Sequence, residues 1–133
     1  MNEKVSIDFD STLSRVEVQK FTKKLIDEGF EVWIVTSRYD TKTALSNGWT
    51  WTEQQNQKLF DVATNVGIPM NRIIFTNALD KITYLQGKEF ILHLDDDEDE
   101  LWGIIRSGDP CKPVNVNHFE WRETCEDILK IKK

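Results

Sequence analysis

The sequence predicts a three-layer α/β fold, with a mainly parallel five-stranded sheet between helices on both faces. Three observations carry that expectation. Apolar runs of strand length alternate with segments of helical period along the chain. The run at residues 31–37 is nearly continuous in apolar side chains, as in a strand buried on both faces of a parallel sheet. Strand-like runs also end in carboxylates or hydroxyls: Asp8 and Asp10, Thr36 and Ser37, Asp95 and Asp96.

The first strand is expected over residues 4–9, where Val5, Ile7 and Phe9 alternate with polar positions. A helix follows to about residue 28, capped by Ser14 and stopped by Gly29, with Val16, Val18, Phe21, Leu25 and Ile26 approximating one face. The second strand, residues 31–37, leads into a long loop at 38–52 that holds Arg38, Asn47-Gly48, Trp49 and Trp51. Thr52 is expected to cap a helix over about 53–66, closed by Gly67. Residues 73–76 read as a third strand, 79–85 as a short helix carrying Lys81, and 90–94 as a fourth strand that runs straight into Asp95. Leu101, Trp102, Ile104 and Ile105 indicate a helical turn or two, Val114 and Val116 a short edge strand, and residues 121–131 a closing helix. The result is five βα units in a Rossmann-like arrangement. Right-handed crossovers then bring the strand ends to one edge, where the scattered acids and hydroxyls can share a cleft.

A chain of 133 residues is expected to form one domain, and its 39% hydrophobic and 30% charged residues are those of a globular protein. No run approaches the roughly 20 apolar residues of a membrane span, and the opening Met-Asn-Glu-Lys lacks the apolar core of a signal peptide, so the cytoplasm is expected. Cys111 and Cys125 are too few for a disulfide framework or a zinc site and are expected as free thiols. The net charge of −6 is local: residues 95–100 hold six acids, and the other 17 match the 17 Lys and Arg. Nothing in that balance steers the chain globally toward nucleic acid.

Asp8 and Asp10 lie two positions apart, so on an extended chain they share one side unless the strand has already turned. Two such carboxylates repel each other, and a cation, metal or lysine, is expected beside them. A carboxylate held by a divalent cation can attack phosphorus, and a second can protonate the leaving group and later activate water. Hydroxyls after the second strand and a lysine can hold the transferring phosphoryl group.

Asp8-Phe9-Asp10-Ser11-Thr12-Leu13 resembles the first motif of the haloacid dehalogenase (HAD) superfamily, Asp-x-Asp-x-Thr-(Leu/Val). Residues 32–36 resemble the second motif, Lys81 the third, and residues 91–96 the fourth in its Asp-Asp form, in matching order across about residues 5–99. The resemblance implies Asp8 as phosphate-accepting nucleophile and Asp10 as general acid/base that also offers its main-chain carbonyl to Mg²⁺. It further implies Thr36 as phosphate ligand, Lys81 as charge stabiliser, Asp95 and Asp96 as the rest of the magnesium site, and Thr12 as holder of the turn that aims Asp10. Ser37 and Arg38 could bind phosphate or be ordinary loop residues. The spacing leaves no room for a cap domain, which implies an open site, with the 38–52 loop as its local cover.

A Mg²⁺-dependent phosphatase is therefore expected, acting on a phosphorylated substrate with nucleotide and macromolecular classes both open, and with the oligomeric state open. The alternatives are a receiver-like phospho-acceptor domain and a metal-binding interaction module with little activity. Trp49 and Trp51 could stack on a base or pack within their loop. His93 and His118 are expected only as core or surface residues, and Trp33, Trp102 and Trp121, which sit in periodic segments, as core residues.

Overall fold

The structure is a computed structural model describing residues 2–131. Five parallel strands form one sheet in the order β3-β2-β1-β4-β5: β1 Lys4–Ile7, β2 Glu31–Thr36, β3 Ile73–Phe75, β4 Phe90–Asp95 and β5 Lys112–Asn115. The chain steps outward from β1 to β2 and β3, then returns past β1 to lay down β4 and β5. Its direction reverses between β1 and β4, and in open parallel sheets the crevice at such a reversal is where ligands bind.

Helices cover both faces, as expected. Helices α1 (Val16–Asp27), α3 (Thr52–Val66) and α6 (Trp121–Leu129) pack on one face. There Val18, Phe21, Leu25, Leu59, Ala63 and Leu129 meet strand residues Val5, Ile7, Val32, Ile34, Leu92 and Leu94 in one buried cluster. The other face carries α4 (Ile82–Leu85) and α5 (Glu98–Ser107), with Leu85 and Ile104 against Val35 and Phe90. Alternation along β2 explains the split: Val32 and Ile34 serve the first face, Trp33 and Val35 the second.

Several boundaries differ from those expected. The first strand stops at Ile7, because Phe9–Leu13 winds into a wide turn closed by bonds from Leu13 N–H to the Asp8 carbonyl and from Ser14 N–H to the Phe9 carbonyl, each 3.0 Å. Ser14 already has helical backbone angles, so it closes that turn and does not cap α1, which starts at Val16. The 38–52 stretch is not all loop. It contains α2 (Thr41–Ser46), capped by Asp40, whose side chain accepts from Thr43 N–H at 2.8 Å and from the Thr43 hydroxyl at 2.9 Å. Thr52 is the first residue of α3 and not its cap, while Gly67 ends that helix in the left-handed region at φ 97°. Lys81 precedes α4 instead of lying within it, and α5 is a full ten-residue helix.

Trp33 and Trp121 pack partly buried against the cores, but Trp102 is 54% exposed, since Leu101 and Ile104 take the inward face of α5. Cys111 and Cys125 are free and buried, and burial pushes both thiols up to about 12. Among the described residues, no helix is long and apolar enough to cross a membrane.

Candidate active site

Asp8 leaves the end of β1 with its N–H still bonded to the Leu94 carbonyl of β4 at 2.9 Å, so the sheet ladder fixes its position. The chain then turns sharply. Ser11 takes a left-handed conformation, φ 56°, in a wide helical turn of the kind often found at functional sites. The turn separates the two acids that an extended strand would have placed together: Asp8 is buried, whereas the Asp10 side chain is 54% exposed.

The cation expected beside Asp8 is Lys81. Its Nζ lies 2.7 Å from Asp8 Oδ1 and 2.6 Å from Asp95 Oδ2, with 2% of the side chain exposed. Three contacts deliver it there. The Thr76 hydroxyl donates to the Leu79 carbonyl at 2.8 Å, Ala78 N–H donates to the Ser37 carbonyl at 2.8 Å, and Lys81 N–H donates to Glu100 at 3.1 Å. Glu100, one acid of the 95–100 run, therefore holds the lysine's own backbone. Asp97 caps α5 by accepting from Asp99 N–H at 3.0 Å, while Glu98 and Asp99 are solvated at the helix start.

Asp95 is saturated. Its Oδ2 accepts from Lys81 and from His93 Nε2 at 2.7 Å, and its Oδ1 accepts from Asp96 N–H at 2.8 Å and Asp97 N–H at 3.0 Å. Asp96 is more open: among the described residues, the Thr12 hydroxyl, 3.2 Å away, is the one hydrogen-bond donor on its carboxylate. That hydroxyl also lies 3.4 Å from Asp8 Oδ2, so Thr12 links Asp8 to Asp96 and makes no hydrogen bond to Asp10.

Sequence alone gives His93 no role, yet it joins the site. Fully buried, it accepts from the Ser6 hydroxyl on Nδ1 at 2.7 Å and donates from Nε2 to Asp95. Ser6 and His93 are register partners on β1 and β4, and His93 shares a strand face with Asp95 two positions on. That i, i+2 relation was the available signal. Burial lowers the His93 pKa, which keeps the ring neutral and suits this tautomer.

Electrostatics separates the two inner acids. Burial, reinforced by the nearby Asp95 charge, pushes Asp8 up to about 8 against the pull of Lys81. Asp95 is held well below the usual carboxylate range: burial opposes its charge, but His93 and Lys81 more than offset it.

On the rim, Arg38 grips Asp10 with two parallel bonds, Nε to Oδ2 at 2.9 Å and Nη2 to Oδ1 at 2.7 Å. Its Nη1 reaches the Gln55 carbonyl at 2.8 Å, and the guanidinium lies 4.9 Å over the Phe9 ring. Thr36 is buried at the end of β2, its hydroxyl accepting from Arg38 N–H at 3.2 Å, and Ser37 is exposed beside it. The ends of β1 and β4 and the loop after β3 thus gather Asp8, Lys81, Asp95 and Asp96 directly, with Thr36, Arg38 and Asp10 on the flank.

Among the described residues, Asp8, Asp95 and Asp96 each offer an oxygen within 4.8 Å of the others, as a shared cation requires. The Asp10 carboxylate is not part of this group. A cleft of about 580 Å³ lies among Glu3, Lys4, Glu31, Glu89 and Ile91 at the opposite edge, without convergent buried polar groups. No protein-family model, curated protein or solved structure matches this chain, and the site is read from its own geometry.

Proposed function

We propose that this protein is a Mg²⁺-dependent phosphomonoester hydrolase working through an aspartyl-phosphate on Asp8, the chemistry implied by its resemblance to capless HAD phosphatases. The observation that carries the reading is the burial of Lys81 between Asp8 and Asp95 at the sheet's reversal point. Asp10 waits on the turn two residues away.

The residues fit a magnesium ion. Its preferred ligands are hard oxygens from one or two carboxylates plus waters, and Asp8 and Asp96 keep open lone pairs while Asp95 is occupied by Lys81 and His93. Three acids facing one lysine leave two negative charges in excess (three minus one), which a divalent cation offsets. In its absence, burial, reinforced by the Asp95 charge, pushes Asp8 up to about 8, so the carboxyl keeps a proton that a bound cation would displace. When bound, the ion would be held by Asp8, Asp96 and the Asp10 carbonyl, and would neutralise phosphoryl oxygens facing the anionic nucleophile.

The chain's residues then divide the work. An Asp8 oxygen forms a bond to phosphorus as the ester P–O bond breaks, and Asp10 gives its proton to the departing alkoxide. Water next loses a proton to Asp10 and attacks the phosphorus of the acyl phosphate, releasing inorganic phosphate and restoring the Asp8 carboxylate. Lys81 offsets charge on the nucleophile and the transferring group, and Thr36, Ser37 and Arg38 bind phosphoryl oxygens. A phosphate gives Arg38 a competing anionic partner, so its arrival frees the Asp10 carboxyl to reach the leaving oxygen.

Strand order speaks against the receiver-like alternative. Such domains follow the order 2-1-3-4-5, whereas here β1 lies between β2 and β4. Two buried free thiols suit a reducing compartment, and we place the protein in the cytoplasm as part of the same reading. Phosphate release from a panel of phosphomonoesters, with Mg²⁺ and with EDTA, tests the proposal. Metal-dependent turnover absent from Asp8→Asn is expected; hydrolysis that persists in EDTA refutes it.

A further inference from the structure

A second cleft, of about 200 Å³, opens against the outer edge of the site, lined by Arg38, Tyr39, Trp49, Trp51, Gln55 and Asn56. Its aromatic wall is built and held. The C-terminal end of α2 closes through Gly48, at φ 81°, with Trp49 N–H bonded to the Ala44 carbonyl at 3.0 Å. Trp49 packs edge-on to Tyr39 at 5.0 Å and 79°, and Trp51 tilts 32° from Trp49 at 6.5 Å. Trp51 is nevertheless 58% exposed. An exposed indole on a fixed turn is a stacking surface in search of a ring.

Arg38 is the wall common to cleft and site. One edge of its guanidinium holds Asp10, and Nη1 holds the Gln55 carbonyl and, at 3.4 Å, Asn56 Oδ1. A phosphate ester on Asp8 that engages Arg38 therefore has room for its organic part in the cleft. The Asn56 amide is spent on the Tyr39 carbonyl and Thr41. Among the described residues, the Gln55 amide has no partner, leaving a donor and an acceptor for a base edge.

We propose that this cleft is a nucleobase subsite and that the substrate is a nucleoside monophosphate, an assignment that rests on the hydrolase reading for the fate of the phosphate only. A polynucleotide end fits less well. Asp97, Glu98 and Asp99 are exposed where α5 begins, next in sequence to Asp96, and the chain's balanced remaining charge supplies no basic track for further phosphates.

Calorimetric titration of full-length Asp8→Asn protein with Mg²⁺, where turnover does not consume ligand, compares adenosine monophosphate with ribose 5-phosphate. The nucleotide is expected to bind at least about tenfold tighter. Adding Trp51→Ala should loosen it by about tenfold and narrow the gap between the two ligands, with Trp51→Phe restoring most of the difference. Trp102→Ala, on α5, should change neither. Equal affinity for the two ligands, or equal weakening of both by Trp51→Ala, overturns the subsite. A 5′-phosphorylated oligonucleotide that binds more than about tenfold tighter than the mononucleotide overturns the substrate class. Base-dependent binding together with no phosphate release by the wild-type protein would refute the hydrolase and leave the subsite standing.

Discussion

Lys81 reaches Asp8 across 73 positions of sequence, its Nζ 2.7 Å from Oδ1, and both side chains are almost wholly buried. Lys81→Met leaves Asp8 and Asp95 without their cation, and breaking a buried ion pair costs about 3–5 kcal/mol. Urea denaturation of the metal-free variant should show a loss of that order, and Mg²⁺ should recover more stability in the variant than in the wild type. Unchanged stability would mean that the lysine does not hold the acids together.

The raised pKa of Asp8 ties metal binding to pH. Because its folded value of about 8 lies above the ordinary 3.8, the stability it contributes is full below 3.8 and is lost as pH rises toward about 8, where the folded protein gives up the proton. Asp95 has the opposite sign: its share is present above the ordinary carboxylate range and lost in acid. A cation on Asp8 must displace that proton. The Tm gain from saturating Mg²⁺ should therefore grow from about pH 6 to about pH 9 and vanish with EDTA. A gain that is flat across this range contradicts the assignment of Asp8 as a ligand.

His93 bridges two strands and orients Asp95. His93→Phe removes one bond to Asp95 and leaves the Ser6 hydroxyl only the longer contact of 3.4 Å to the Leu92 carbonyl, a loss of about 1–3 kcal/mol, and should lower turnover while leaving the Mg²⁺ requirement intact. His93→Gln keeps a donor toward Asp95 and should recover part of both. Since the folded protein resists protonating His93, its contribution to stability is lost below about pH 6.5, opposite in sign to that of Asp8, so the stability difference between wild type and the His93 variants should shrink as pH falls through that value.

Asp10 and Arg38 lie at the surface, so their pairing should matter little to stability. For Asp10→Asn the expected change in stability is within about 1 kcal/mol, while turnover falls on the order of 10²–10⁴-fold. Arg38→Ala should raise KM for a phosphomonoester more than it lowers Tm. A large drop in stability with turnover intact would reverse these roles.

Much of this was legible because strands announce themselves. Apolar runs at residues 4–7, 31–36 and 90–95 end in Asp8, Thr36 and Asp95, and parallel topology does the rest. The short helix α2 was not legible, since six residues give too little periodicity and its signal is one Asp40 cap. Nor was the Arg38–Asp10 clamp, which joins a strand end to a turn 28 positions earlier. His93 reads as core because its neighbours are apolar, and Glu100 does not stand out among six consecutive acids because its partner is a main-chain N–H 19 positions away.

The central claim, that Asp8 accepts the phosphoryl group, is tested most directly by acid-quenching the protein during turnover of a phosphomonoester and mapping the modified residue by mass spectrometry after borohydride reduction. Conversion of Asp8 to homoserine in the wild type, absent in Asp8→Asn and without substrate, is predicted. Phosphorylation of another residue, or full turnover by purified Asp8→Asn, would contradict it.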